Sequence, residues 1–427
     1  MLRALYRTAS LRNAAAMGLG GICFSVGGLI LARELPTQEY ALVSLVLGIV
    51  SVAGNTAPLG LDQVVGRRGI RLDARWRRSS FAASVVTALA AGVFAQLVYH
   101  LPPALMASVI LTTLALGIAQ SVGAHFQGQR QFSIAVWVVQ LLNGTILLIA
   151  LVTIAAGLGT AAAVCGLMSI AALAGATAVW WLVRHEDSTG KGAGGGAGSS
   201  AGGGQPTPWT VRGEALSLAS MQAGGSAFLQ LERLLVGPTV GLQALATFGV
   251  LAAFVSSPFR LLQAAVQFTL IPRLRTAPNA RTRRALLRRE AGPMALPLIG
   301  GSAAILLLAP PLAHWLLAGR YDLSEALITV MLFSGWLKLL NGFLTAVVVS
   351  CGEERRLGWL SAICWGSLGV SIAGAFVGIP WGLAGVLLGI ALGWLARCLL
   401  ASWLALTCLR EPRDGFAATS AQRGSSP

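Results

Sequence analysis

The chain is 427 residues long, 55% hydrophobic and 11% charged, with a mean hydropathy of +0.73, where soluble proteins carry about 25% charged residues. This composition excludes a soluble enzyme, a disordered polymer and a disulfide scaffold, and requires the bilayer as solvent. The 31 basic residues against 15 acidic ones, net +16, would suggest nucleic acid in a soluble protein, but a membrane protein keeps Lys and Arg in its cytoplasmic loops. No nucleic-acid partner is expected.

A helix needs about 20 mostly apolar residues to cross the hydrocarbon core. Twelve such runs occur, at 14–32, 41–61, 80–99, 104–123, 132–154 and 161–183 in the first half, and at 214–236, 243–269, 293–312, 324–350, 358–379 and 382–408 in the second. The first follows a basic leader, but Leu29-Ile30-Leu31-Ala32-Arg33 lacks a small-residue cleavage pattern, so a retained helix is expected. With the N-terminus cytoplasmic, 25 of the basic residues fall in inner loops and tails, two (Arg33 and Arg320) in outer loops and four within spans. Both termini are therefore expected in the cytoplasm. Clusters such as Arg67 to Arg78 and Arg273 to Arg289 flank spans and carry few aromatics, so stop-transfer anchoring and contact with anionic membrane lipids account for them.

The boundaries predict an N-terminal six-helix lobe over 1–183, a Gly/Ser-rich cytoplasmic linker over 184–211, a C-terminal six-helix lobe over 212–410 and a cytoplasmic tail over 411–427. The linker's glycines follow no apolar strand and open no Gly-Lys-Ser/Thr helix, so they form a tether rather than a phosphate loop. Six spans is an even number, so both lobes start on the same side and are parallel repeats. Features recur in order: Pro36-Thr37 and Pro238-Thr239 after each first helix, a basic cluster after each second, and Gly128-Gln129-Arg130 and Gly352-Glu353-Glu354-Arg355 between each fourth and fifth.

Several stretches resemble one known group. Ala32-Arg33-Glu34-Leu35-Pro36-Thr37-Gln38-Glu39-Tyr40-Ala41, Leu59-Gly60-Leu61-Asp62 with Arg67 and Arg68, Leu231-Glu232-Arg233-Leu234-Leu235-Val236-Gly237 and Ile271-Pro272-Arg273-Leu274 are similar to segments of the polysaccharide flippase branch of the multidrug/oligosaccharidyl-lipid/polysaccharide exporter superfamily. Leu317-Ala318-Gly319-Arg320-Tyr321, Ser324-Glu325-Ala326 and Cys351-Gly352-Glu353 resemble it most. The resemblance implies an all-α polytopic membrane protein of about 12 transmembrane helices, in two six-helix lobes around a central cavity. It implies alternating access that moves a lipid-linked oligosaccharide on a polyprenyl-pyrophosphate carrier across the bacterial inner membrane. A polysaccharide polymerase or export machinery is the implied partner.

Glu232, Arg233, Arg260, Lys338 and Arg397 fall within spans. A basic residue facing lipid at a helix centre costs about 2.5–3.5 kcal/mol, so these side chains should face a polar interior. Glu232 and Arg233 are adjacent, about 100° apart on a helix, and cannot pair well with each other. Arg233 lies near the end of its span and can either snorkel or face the cavity. Arg260 follows Pro258, which frees a backbone carbonyl and breaks the helix. Lys338 and Asn341 share a face. The substrate-binding expectation is therefore Arg260, Lys338, Asn341 and Arg233, as donors to a cargo phosphate. Arg397 lies eleven residues before the end of its span and reads as a snorkeler. The N-terminal lobe offers Arg33 and the neutral Asn55, Gln120, Gln140 and Asn143.

A second transport reading is a cation-coupled drug or metabolite antiporter with Glu232 or Asp62 as proton carrier. A reading from another class is a membrane glycosyltransferase, polymerase or ligase acting on the same carriers, which would need a large periplasmic loop; the longest outer connections here are about ten residues. The four histidines are scattered, the acids form no glycosidase-like pair and no ATP-binding motif occurs. No catalytic residue, metal or cofactor is expected, and the six cysteines read as small core residues.

Overall fold

A computed structural model describes residues 9–410 apart from 71, 130, 190–206, 352–353 and several positions between 260 and 278, Arg260 among them. Most of the 184–211 linker and the 411–427 tail lie outside the described residues.

Among the described residues the chain is helical, without strands. The N-terminal half consists of α1 (Ala9–Glu34), α2 (Thr37–Thr56), the short α3 (Leu61–Arg68), α4 (Ala74–Tyr99), α5 (Pro103–Gly128), α6 (Phe132–Ala156) and α7 (Ala161–Thr189). The C-terminal half has α8 (Arg212–Val240), α9 (Leu242–Leu251, continued by a π-turn at Ala252–Ser256), α10 (Ala280–Leu316), α11 (Glu325–Cys351), α12 (Glu354–Gly378) and α13 (Gly382–Arg410). The twelve apolar runs of the sequence correspond to α1, α2 and α4 to α13. Nine helical stretches of the described residues are long and apolar enough to cross a membrane, and one of these, Arg355–Leu409, holds both α12 and α13. The remaining two, α1 and α8, complete the dozen; α8 is diluted by Glu214, Glu232 and Arg233.

Local chemistry sets the boundaries. Asp73 caps α4 by accepting from the Arg75 and Trp76 amides at 2.8 and 2.9 Å, and Asn279 caps α10 by accepting from the Thr282 amide at 2.8 Å, each satisfying donors that a helix start leaves open. Arg283 and Arg284 do the reverse at the end of α13, donating to the Cys408 and Leu409 carbonyls at 3.5 and 3.2 Å, where cations complement the helix dipole. Part of the Arg273 to Arg289 cluster thus ties α10 to α13. The repeat is imperfect: Pro36 precedes α2, whereas Pro238 lies inside the last turn of α8, which ends at Gly241.

The α1–α7 lobe packs chiefly through α1 on α6 and α5 on α4 and α7, the α8–α13 lobe through α13 on α11 and α12, and the lobes meet where α2 and α3 lie along α8 and α9. Gly60, with φ of +76°, turns the chain from α2 into α3 so close to α8 that a Cβ there would lie 2.0 Å from the Ala215 carbonyl oxygen. Helix α2 is buried for most of its length, while α10 exposes nearly all of its apolar face. This contrast separates the interior of the bundle from its lipid-facing surface.

The α12/α13 contact depends on small residues. Gly374 and Gly378 face Gly385 and Gly389, and a Cβ on Gly389 would sit 2.1 Å from the Gly374 carbonyl oxygen. Lipid tails are as apolar as the helices, so close backbone approach and dispersion drive such contacts. Gly389→Leu is expected to destabilise the protein by about 3 kcal/mol, the upper end for overpacking, and to lower both membrane-inserted protein and the melting temperature in detergent. Gly366→Leu, where a Cβ would meet nothing within 4 Å, should leave both unchanged.

Candidate functional site

A cavity of about 760 Å³ separates the lobes. It opens on the face that carries the ends of α2, α5 and α11 and the starts of α6, α8 and α12, which is also the arginine-rich face. Asp62, Gln63, Arg67 and Arg68 of α3, Gln120 and Gln127 of α5, and Gln140 of α6 supply its polar lining. Leu218, Met221, Val349 and Leu357 line the opposite, C-terminal-lobe side, and among the described residues no aromatic side chain lines the cavity.

The carboxamides are held in place by one another and by the backbone. Gln120 donates to Asn55 Oδ1 at 3.1 Å, Asn143 to Gln140 Oε1 at 2.5 Å, and Gln222 of α8 to the Asn55 carbonyl at 2.6 Å. The neutral polar residues noted in the N-terminal lobe therefore gather at this cavity. Arg67 and Arg68 pair with Glu214 of α8 across the lobe boundary. Asp62 is buried, accepts from its neighbour Gln63 at 3.1 Å on one oxygen, and makes no hydrogen bond on the other among the described residues. Burial pushes its carboxyl up to about 6, with the Gln63 bond opposing, because desolvation disfavours the charged form.

The opposite face is closed. Arg320, in the turn between α10 and α11, donates to the Arg33 and Leu35 carbonyls at 2.7 and 3.4 Å, and the Tyr321 hydroxyl to the Ala32 carbonyl at 3.2 Å. The Tyr40 and Tyr321 rings meet edge to face at 6.4 Å. Tyr99 donates to the Leu234 carbonyl at 3.0 Å. Each contact joins one lobe to the other.

The C-terminal lobe also holds a buried charge cluster. Lys338 of α11 pairs with Glu232 of α8 at 2.6 Å, and Ser334 donates to the same carboxylate oxygen at 3.1 Å. Both charged residues are almost wholly buried, at 3% and 1% exposure. Trp394 of α13 stacks edge to face on Phe228 at 4.2 Å and lies 5.7 Å from the Lys338 ammonium. Arg397 is buried too, its guanidinium over the Phe228 and Trp394 rings at 5.3 and 5.4 Å. This corrects the snorkelling expectation: a span end eleven residues away is within reach, but the rings hold the charge inside.

The expected donors divide. Lys338 is committed to Glu232, with Asn341 buried one turn further along α11. Arg233 turns away from Glu232 and is buried between the lobes, its Cβ 3.1 Å from where a Gly48 Cβ would lie and its guanidinium 5.6 Å from the centre of the Phe24 ring. Arg260 lies outside the described residues. The break expected at Pro258 takes the form of the π-turn at Ala252–Ser256 just before it, a device that re-satisfies backbone groups around a proline. Among the described residues no group of three or more His, Cys, Asp or Glu is placed to hold a metal. Gln63, Gln127, Phe228, Ser334 and Trp394 carry no signal in the sequence, since neutral polar and aromatic residues are common in any membrane helix.

No family model matches the chain, and no curated protein matches its sequence. Solved structures do match over nearly the whole length. An inward-facing conformation of a multidrug resistance MATE family transporter of the MOP superfamily aligns with a TM-score of 0.62 at 14% identity, over 95% of this chain and 96% of that one. The eukaryotic MATE transporter AtDTX14 gives 0.58 at 15%, over 95% and 97%. A MOP superfamily transporter from Pyrococcus furiosus gives 0.60 at 13%, over 94% and 96%. The fold is thus that of the MATE transporters of the MOP superfamily, whose twelve helices form two lobes.

Removing one partner of a buried ion pair strands the other's charge, at a cost of about 3–5 kcal/mol, whereas replacing both with apolar groups is often neutral. Glu232→Gln and Lys338→Met are each expected to lower the detergent melting temperature strongly, and the double variant to recover most of the loss. Additive losses in that double-mutant cycle would show that the pair contributes no coupled stability.

Proposed function

We propose that this protein is a flippase that moves lipid-linked oligosaccharide, carried on polyprenyl pyrophosphate, across the bacterial inner membrane by alternating access. In this reading the arginine-rich face is cytoplasmic, in accord with the retention of basic residues inside, and both termini lie on that side. The lobes are then open to the cytoplasm and latched on the periplasmic side by Arg320, Tyr321 and Tyr99. A polymerase or export machinery would consume the translocated product.

One observation carries the choice of cargo: among the described residues, carboxamides and arginines line the cavity and no aromatic ring does. Carboxamides offer paired donors and acceptors suited to sugar hydroxyls, and arginine suits a phosphate. An aromatic drug cation would find neither a stacking surface nor a cation–π partner there. Arg233, Lys338 and Asn341, and Arg260 outside the described residues, remain the proposed substrate-binding positions, with Lys338 acting through its Glu232 partner.

A second reading, a cation-coupled drug or metabolite antiporter, draws support from two buried carboxylates, Glu232 and Asp62, and from the fold shared with a multidrug resistance MATE family transporter. The Pyrococcus furiosus structure is described as having a binding pocket of reversed polarity that suggests a different function, so the fold is not tied to one cargo chemistry. A bond-forming enzyme is disfavoured because, among the described residues, Asp62 is the one carboxylate in the cavity lining and no histidine joins it.

Reconstituted vesicles decide between these readings. Lipid-linked oligosaccharide should cross and become resistant to an added glycosidase, without new glycosidic products, while a fluorescent drug cation should not be driven across by a pH or sodium gradient. Replacing Gln120 and Gln140 with alanine removes two neutral hydrogen bonds worth about 0.5–1.5 kcal/mol each, so translocation should fall about tenfold. Drug transport with no oligosaccharide movement would establish the antiporter. For orientation, periplasm-active reporters fused at Lys191 and Pro427 should be silent; activity at either would reverse the assignment.

A further inference from the structure

A second cavity, of about 600 Å³, lies outside the lobe interface on the lipid-facing side of the N-terminal lobe, between α4 and α7 with α5 as its floor. Arg77 and Arg78 of α4 and Arg184 of α7 form its rim on the arginine-rich face. Trp180 and Trp181 come next, within one turn of Arg184, followed by Phe81. The deepest part is lined by Ile118, Ala176 and Thr177. At about 1.5 Å of rise per residue, Ala176 lies some 12 Å below Arg184 along α7. Among the described residues no acidic side chain lines the groove.

We propose that this groove is a specific binding site for an anionic phospholipid of the leaflet at the arginine-rich face. The polarity gradient matches such a lipid from end to end. Three guanidinia stand at the level where a membrane holds its headgroup phosphates, and Arg78 and Arg184 are exposed there. The indoles occupy the interfacial layer that Trp favours, with Trp181 at 61% exposure. The apolar floor receives the start of an acyl chain. Basic pockets between transmembrane helices select anionic headgroups in this way. A neutral lipid would leave the exposed Arg78 and Arg184 facing a choline group, and a soluble anion would leave the apolar floor unfilled. The site is separate from the cargo cavity and does not depend on the cargo assignment.

The test uses the full-length protein in detergent, titrated with phosphatidylglycerol or with phosphatidylcholine of the same acyl chains and read by native mass spectrometry. Phosphatidylglycerol should be retained in preference, and excess inorganic phosphate should not displace it. Basic residues near a membrane surface contribute about 1 kcal/mol each, so Arg78→Gln with Arg184→Gln should weaken retention about 30-fold without changing the weak retention of phosphatidylcholine. Thr177→Phe, at an exposed position of the groove, keeps every charge and fills the floor; it should also reduce retention and provides the test if the double arginine variant does not accumulate. Equal retention of the two lipids, displacement by phosphate, or unchanged binding in whichever of these variants accumulates would overturn the proposal. A benzophenone amino acid placed at Phe81 should cross-link in membranes to a species of phospholipid mass; a protein adduct, whether a partner or a second copy, would overturn it as well.

Discussion

Hydrocarbon around the bundle means that a charge placed inside must find its compensation inside, and the Glu232–Lys338 pair shows how far this constraint reaches. With neither side chain in contact with water, α8 and α11 are held at one separation and rotation, because a shift of either would strand both charges. Trp394 and Phe228 complete the enclosure, and their ring faces also accept Arg397. The C-terminal lobe therefore behaves as a unit organised around a polar centre. The N-terminal lobe is organised differently, by hydrogen-bonded carboxamides that remain open to the cavity.

The two faces of the molecule differ in the kind of contact that joins the lobes. At the closed face the links are side-chain donors on backbone carbonyls, from Arg320, Tyr321 and Tyr99. Such bonds are worth about 0.5–1.5 kcal/mol each, somewhat more for the charged donor, and are replaceable by water. At the open face Arg67 and Arg68 meet Glu214 beside the cavity, in a partly exposed setting where ion pairs contribute little. A molecule held shut on one face by a few exchangeable bonds suits interconversion between conformations of similar free energy. In the proposed cycle, cargo entering among the carboxamides supplies the bias.

Much of the architecture is legible from residue order. The twelve apolar runs, the even number in each half and the asymmetry of Arg and Lys follow from the cost of charges and unpaired backbone in hydrocarbon, and that cost acts on each helix separately. Pro258 marks a break, because a missing amide donor acts within its own helix, whereas the approach of Gly374 and Gly378 to Gly385 and Gly389 emerges only from the packing. The cavity was legible only in part. Gln120 and Gln140 stand out as polar residues within apolar runs, but nothing in their spacing joins them to Asn55, which comes from another helix.

The sequence by itself determined that charges lie inside the spans and that they must avoid lipid, since transfer free energy is a property of each residue. Which charge meets which partner was decided by the tertiary structure alone. Glu232 and Lys338 are 106 positions apart, and Arg397 could reach the surface from its place in the chain. Only the packing of α8, α11 and α13 brings carboxylate, ammonium and aromatic rings within a few ångströms, where pairing energies that fall off with distance begin to act.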